Sequence, residues 1–136
     1  MDEALIRYYR KLLRAGFEYA GSFKDPSIFL DSIGERIAIC SPSARYYIHL
    51  YIMVKDDTID DIKYLCICDP PANVAVEILC SLVKGKTFDE ISLIKEDMFS
   101  QIIDGKSDDL LKRARGLMQL LNRGIERFVA GEKRNR

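Results

Sequence analysis

The chain has 136 residues, 48% of them apolar and 31% charged, the balance of one globular domain rather than a disordered or fibrous chain. No apolar run approaches the about 20 residues needed to cross a bilayer, and 21 Lys plus Arg against 21 Asp plus Glu remove a global electrostatic case for nucleic-acid or anionic-membrane binding. The start, Met1-Asp2-Glu3-Ala4, lacks a basic stretch leading into an apolar one, so a cytoplasmic location is expected, with the four cysteines as free thiols.

Residues 2–17 read as an amphipathic helix, because Leu5, Tyr8, Tyr9, Leu12, Leu13 and Phe17 recur at helical spacing against Arg7, Arg10, Lys11 and Arg14. Gly16 and Gly21 help to end it, and Gly21 to Gly34 reads as a loop through Ser22, Asp25, Pro26, Ser27 and Asp31. Glu35–Cys40 is a short candidate strand, stopped before Pro42. In Arg45–Lys55, Ile48, Leu50, Ile52 and Val54 alternate with Tyr47, His49, Tyr51 and Met53, the signature of a half-buried strand. Asp56-Asp57 makes a turn, and Ile59–Cys68 returns as the second arm of a hairpin. On that arm Ile62, Tyr64, Cys66 and Cys68 share one face, which sets the Cα atoms of the two cysteines roughly 7 Å apart.

Asp69-Pro70-Pro71 signals a helix start, with Asp as a cap and Pro in the first turn, and the helix runs to about Val83 before Gly85. Thr87 opens another helix with Glu90 three residues on, a capping box. A last long helix from about Ser107 to Val129 collects Leu110, Leu111, Leu117, Leu120, Leu121, Ile125 and Phe128 on one face, and residues 131–136 read as a frayed basic tail. The order predicts an α+β fold: a small antiparallel three-stranded sheet with helices packed on one face.

The chemistry-bearing residues cluster around Cys66-Ile67-Cys68-Asp69. Thiolates are strong metal ligands, and a helix N-terminus favours the thiolate form of Cys68. Cys40 joins this pair if its strand lies beside the hairpin, with Asp69 as a harder fourth donor. The competing reading is core packing, the default for Cys80 among Val76, Ile78, Leu79 and Val83. His49, the only histidine, lies with Tyr47, Tyr51 and Met53 on a strand face and reads as half-exposed surface rather than a ligand, while Tyr46, Tyr47, Tyr51 and Tyr64 either cover a sheet face or meet a partner protein. Asp56, Asp57, Asp60 and Asp61 lack the spacing of a calcium loop. There is no Ser/His/Asp arrangement, P-loop or dinucleotide fingerprint, so an enzyme with its own turnover is not expected.

Residues 45–128, and above all 59–91 with Lys84-Gly85-Lys86-Thr87-Phe88-Asp89-Glu90-Ile91, resemble the NifU/IscU iron–sulfur scaffold family. The resemblance implies a SufE/NifU-like fold and a role in iron–sulfur cluster assembly. Its ligand pattern departs here: the family's Cys-Gly-Asp falls on Ala44-Arg45-Tyr46, its second cysteine on Asp69, and no His or Cys follows Cys80 to supply its last ligands. Gly105-Lys106-Ser107-Asp108-Asp109 stands where the family carries its chaperone-binding prolines.

Three functions follow as expectations. The first is a divergent scaffold-like protein that holds a labile iron–sulfur cluster, iron or zinc through Cys40, Cys66, Cys68 and Asp69. The second is a cluster-free interaction module on the same fold, whose partner is a cysteine desulfurase or another assembly protein. The third is a sulfur acceptor similar to the SufE family, with Cys40 taking persulfide sulfur.

Overall fold

The computed structural model describes residues 2–42 and 45–134, so Ala44 and the tail's last residue, Arg136, lie outside the described residues. The elements are α1 (Glu3–Ala15), β1 (Ile28–Asp31), β2 (Tyr47–Lys55), β3 (Thr58–Ile67), α2 (Pro70–Val83), α3 (Phe88–Ile91), α4 (Asp97–Ile103) and α5 (Asp108–Arg134). The strands form an antiparallel sheet in the order β1-β2-β3. Leu50 stands opposite Leu30 on one side and Tyr64 on the other, and Ile48 stands opposite Cys66.

The hairpin follows from its turn. Asp56 and Asp57 have φ of 53° and 55°, the left-handed pair that a two-residue turn needs to match the strands' twist and that aspartate tolerates. Alternation then sends Ile48, Leu50, Ile52, Ile62 and Tyr64 to one face, where each is at most 2% exposed. That face is covered by α2, whose residues from Ala72 to Cys80 are buried except Asn73, and by the α5 stripe of Leu110, Ala114, Leu117, Leu120 and Leu121. Each fully buried Leu or Ile contributes about 1.5–3 kcal/mol relative to exposure. The opposite face carries Phe29, Tyr47, His49, Tyr51, Leu65 and Ile67, none of them buried. This is the expected α+β arrangement.

The first strand is not where the sequence pattern set it. Glu35–Cys40 is not a strand; Ile28–Asp31 holds that place beside β2. The chain turns immediately after β1, through Glu35 N–H to Asp31 C=O and Ile37 N–H to Ser32 C=O, with Arg36 left-handed at φ 57°. Beyond the turn Ile37 and Ile39 are buried and Ala38 is exposed. The alternation is therefore real, but it reflects burial against α5, where Gly116 gives room for Ile39, and not a sheet ladder.

Two further corrections concern helices. α4 had no counterpart in the sequence reading, and α5 continues to Arg134, so most of the expected frayed tail is helical. Ser107, 2% exposed, caps α5 by accepting from the Leu110 N–H at 3.1 Å.

Candidate functional site

At the end of β3 three segments meet: Cys66 to Asp69, the stretch 37–42 that carries Cys40 and Ser41, and the first turns of α5 with Asp109 and Arg113. The Cys68 thiol donates to the Cys66 sulfur at 2.8 Å, and the Cys40 side chain is also within hydrogen-bonding reach of Cys68. Cys68 is thus the thiol that interacts with both of the others. All three are half-buried. Hydrogen bonding from Cys68 lowers the Cys66 thiol against the opposing effect of burial. Cys68 moves the other way, raised by its hydrogen bonds to Cys40 and Cys66 and by burial. In this pair the proton stays on Cys68 and the thiolate character falls to Cys66.

Asp69 occupies the N-cap position of α2, yet its carboxylate does not cap the helix. Pro70 and Pro71 have no N–H to satisfy, which reduces the demand on a cap. The carboxylate instead accepts from Ser41 N–H at 3.2 Å, Ser41 Oγ at 2.7 Å and Arg113 Nη2 at 2.8 Å. Burial works to raise Asp69, but the bonds from Ser41 and Arg113 outweigh it and hold the carboxyl below its ordinary value. Arg113 also pairs with Asp109 at 3.3 Å, while its buried Nε has no partner. The cluster is thus a cross-link: one ion pair ties the 37–42 stretch, the start of α2 and α5 around the thiols.

A second polar chain leads away from Cys66. Its sulfur faces Asn73 Oδ1 at 3.8 Å; Tyr64 Oη lies 3.1 Å from that Asn73 oxygen and 3.1 Å from Glu77 Oε1. Glu77, only 5% exposed, also accepts from the Tyr19 N–H at 3.3 Å. Burial raises Glu77, and burial beside Glu77 raises Tyr64. The phenol has one proton for two acceptors. When that proton goes to ionised Glu77, a turned Asn73 amide offers N–H both to Tyr64 and to the Cys66 sulfur, which suits a thiolate.

The structure therefore brings Cys40, Cys66 and Cys68 together and gives the Asp69 carboxylate to Ser41 and Arg113 instead. It leaves His49 on the outer face, 3.4 Å from Asp31 and in ring contact with Tyr47 and Phe29. Cys80 is wholly buried in the core, where burial raises its thiol. Ser41, Asn73, Glu77 and Arg113 escaped the sequence reading. Two of them had signals: Glu77 is the one charged residue between Ala72 and Val83, and Arg113 precedes Ala114 on the stripe that Leu110 and Leu117 define. Among the described residues, no group of three or more His, Cys, Asp or Glu side chains is arranged to hold a metal ion.

No protein-family profile matches this sequence, and no curated protein matches it. Solved structures do. The N-terminal part of a nitrogen-fixing NifU-like protein from Brucella abortus superposes with a TM-score of 0.56 at 12% identity, over 93% of this chain and 94% of that one. A protein assigned as an iron–sulfur cluster assembly scaffold of the SUF system, from Fervidobacterium islandicum AW-1, gives 0.56 at 14% identity, over 92% and 96%. At these identities the likeness establishes a shared fold.

Proposed function

We propose that this chain, as one scaffold-like domain, serves iron–sulfur cluster assembly by taking sulfur onto its thiols, with a cysteine desulfurase or another assembly protein as the source. The observation that carries the reading is the contact between Cys66 and Cys68 with Cys40 alongside, on a fold shared with a NifU-like protein. A thiolate beside a protonated thiol is suited to attack a sulfane sulfur. Such thiols persist in a reducing compartment, in keeping with the expected cytoplasmic setting.

A four-ligand cluster site does not fit the residues as they stand. A cluster asks for four strong donors, and here the fourth candidate, Asp69, is bound by Ser41 and neutralised by Arg113. The role of Asp69 in this reading is to fix the thiols' surroundings, and no step passes through a bound cluster.

Anaerobic reconstitution with iron and sulfide, beside incubation with a small-molecule persulfide, tests the proposal. The expected result is one sulfur atom taken from the persulfide per chain, counted as sulfur held on the chain plus sulfide set free, lost in Cys66→Ser, with little iron retained. Stoichiometric iron and acid-labile sulfide, lost in the Cys66→Ser/Cys68→Ser double variant, would replace it with a rearranged cluster site. If neither sulfur nor iron binds, the interaction-module reading stands, favoured by the outer face where Phe29 is 49% exposed beside Tyr51 and His49.

A further inference from the structure

Cys66 and Cys68 sit two residues apart on what would be one strand face, a separation at the outer limit for bridging on a regular strand, roughly 7 Å between Cα atoms. The structure departs from that regular geometry. β3 ends at Ile67, its last ladder partner is Tyr47, and Cys68 lies beyond the ladder before Asp69 and Pro70. Freed from the strand's pleat, the Cys68 thiol leans onto Cys66 at 2.8 Å, about 0.8 Å farther than a disulfide bond of about 2.05 Å. Cys80, by contrast, is buried in α2 and has no thiol contact of this kind.

We infer that Cys68 is a resolving thiol that converts sulfane sulfur held on Cys66 into free sulfide, closing a Cys66–Cys68 disulfide as it does so. The inference rests on the proposed sulfur-accepting role and adds what becomes of the sulfur. In the first step the Cys66 thiolate attacks the terminal sulfur of a persulfide donor, R–S–SH. A new S–S bond forms on Cys66, and the donor leaves as its thiol or thiolate. In the second step the Cys68 sulfur attacks Cys66 Sγ. The bond between Cys66 Sγ and the terminal sulfur breaks, that sulfur leaves with the bonding pair, and the Cys68 proton passes to the departing sulfide.

The electrons balance within the site: the sulfane sulfur is reduced to sulfide while the two cysteine thiols are oxidised to the disulfide. Return to the dithiol needs one equivalent of an external dithiol reductant, which restores both thiols by exchange. The contact of Cys68 with Cys66 is what this chemistry requires, because its sulfur is already against the sulfur it must attack. A cage built only to grip a metal would gain nothing from two sulfurs pressed together.

The test uses the full chain, reduced and then freed of reductant under anaerobic conditions, with glutathione persulfide as the probe. Free sulfide is measured alongside intact mass and peptide mapping after alkylation. The natural sequence is expected to release about one sulfide per chain beyond a Cys66→Ser control, the stoichiometry of a single exchange, and to end with Cys66 joined to Cys68. Cys68→Ser, with Cys68→Ala as a second variant and circular dichroism as the check of folding, is expected to release none and to keep one extra sulfur atom on Cys66.

Persulfide that accumulates on Cys66 of the natural sequence without a disulfide would overturn the inference and leave the sulfur-accepting role intact. Sulfur trapped on Cys40 in the Cys68 variants would overturn the assignment of Cys66 as the acceptor. No sulfur on any thiol, in a folded protein, would remove the sulfur-accepting role and this inference together.

Discussion

The two ends of α2 are held in different ways. At its C-terminal end the contacts are mostly backbone: Lys84 N–H returns to Cys80 C=O, Gly85 N–H reaches Ile59 C=O, Ile59 N–H reaches Lys86 C=O, and Thr87 and Glu90 close a capping box. At its N-terminal end two prolines remove backbone donors, and side chains from distant segments do the holding: Asp69, Ser41, Arg113 and the thiols. One end is rigid by local rules that many sequences satisfy. The other depends on particular atoms, and the three half-buried thiols lie there.

The largest test of this contrast is Arg113→Met. Arg113 and Asp69 side chains are 11% and 13% exposed, and removing one partner of a half-buried pair leaves the other charge poorly paired at a cost of about 1–3 kcal/mol. A clear fall in the urea unfolding midpoint is expected, and an unchanged midpoint would show that the cross-link does not hold the N-terminal end. The same pair predicts an acid limit. Because Asp69 is held below its ordinary value of 3.8, its stabilisation is present above that pH and is lost as pH falls through the lower folded-state value. Asp69→Asn should flatten that part of the stability profile.

Thr87→Ala tests the other end and should cost about 1 kcal/mol, the usual worth of an N-cap. It should leave the reactivity of Cys66 toward iodoacetamide unchanged; a change would show that the two ends are coupled through α2. The smallest effect is expected on the open sheet face. Phe29→Ser, at a residue 49% exposed, should alter stability by no more than about 0.5 kcal/mol, checked by the same urea midpoint.

The same contrast governs what could be read from the residues. Asp56-Asp57, Asp69-Pro70-Pro71 and Thr87 with Glu90 are local signals, and the hairpin and both helix starts lie where they point. β1 was missed because four residues after Pro26 and Ser27 carry too little pattern, while Ile37 and Ile39 carried the right alternation for a segment without a ladder. Cys66, Cys68, Cys40 and Asp69 were legible as residue types at suggestive spacing. Their arrangement was not, because Arg113 stands 44 positions from Asp69 and Ser41 stands 28. Asp69 was expected as a cap and a donor; the pairing that redirects it is set by tertiary structure alone.

α5 meets two of its neighbours at glycines. A Cβ on Gly124 would fall 2.6 Å from Leu30 Cδ2, and one on Gly116 would fall 3.0 Å from Ile39 Cγ1 and 3.2 Å from the Ala38 carbonyl oxygen. Ile39 is the residue before Cys40. The missing methyl at Gly116 therefore works as a spacer of zero thickness, setting how deeply the 37–41 stretch settles and so how near Cys40 comes to Cys68. The reach of one sulfur toward another is gauged by a helix that carries no thiol of its own.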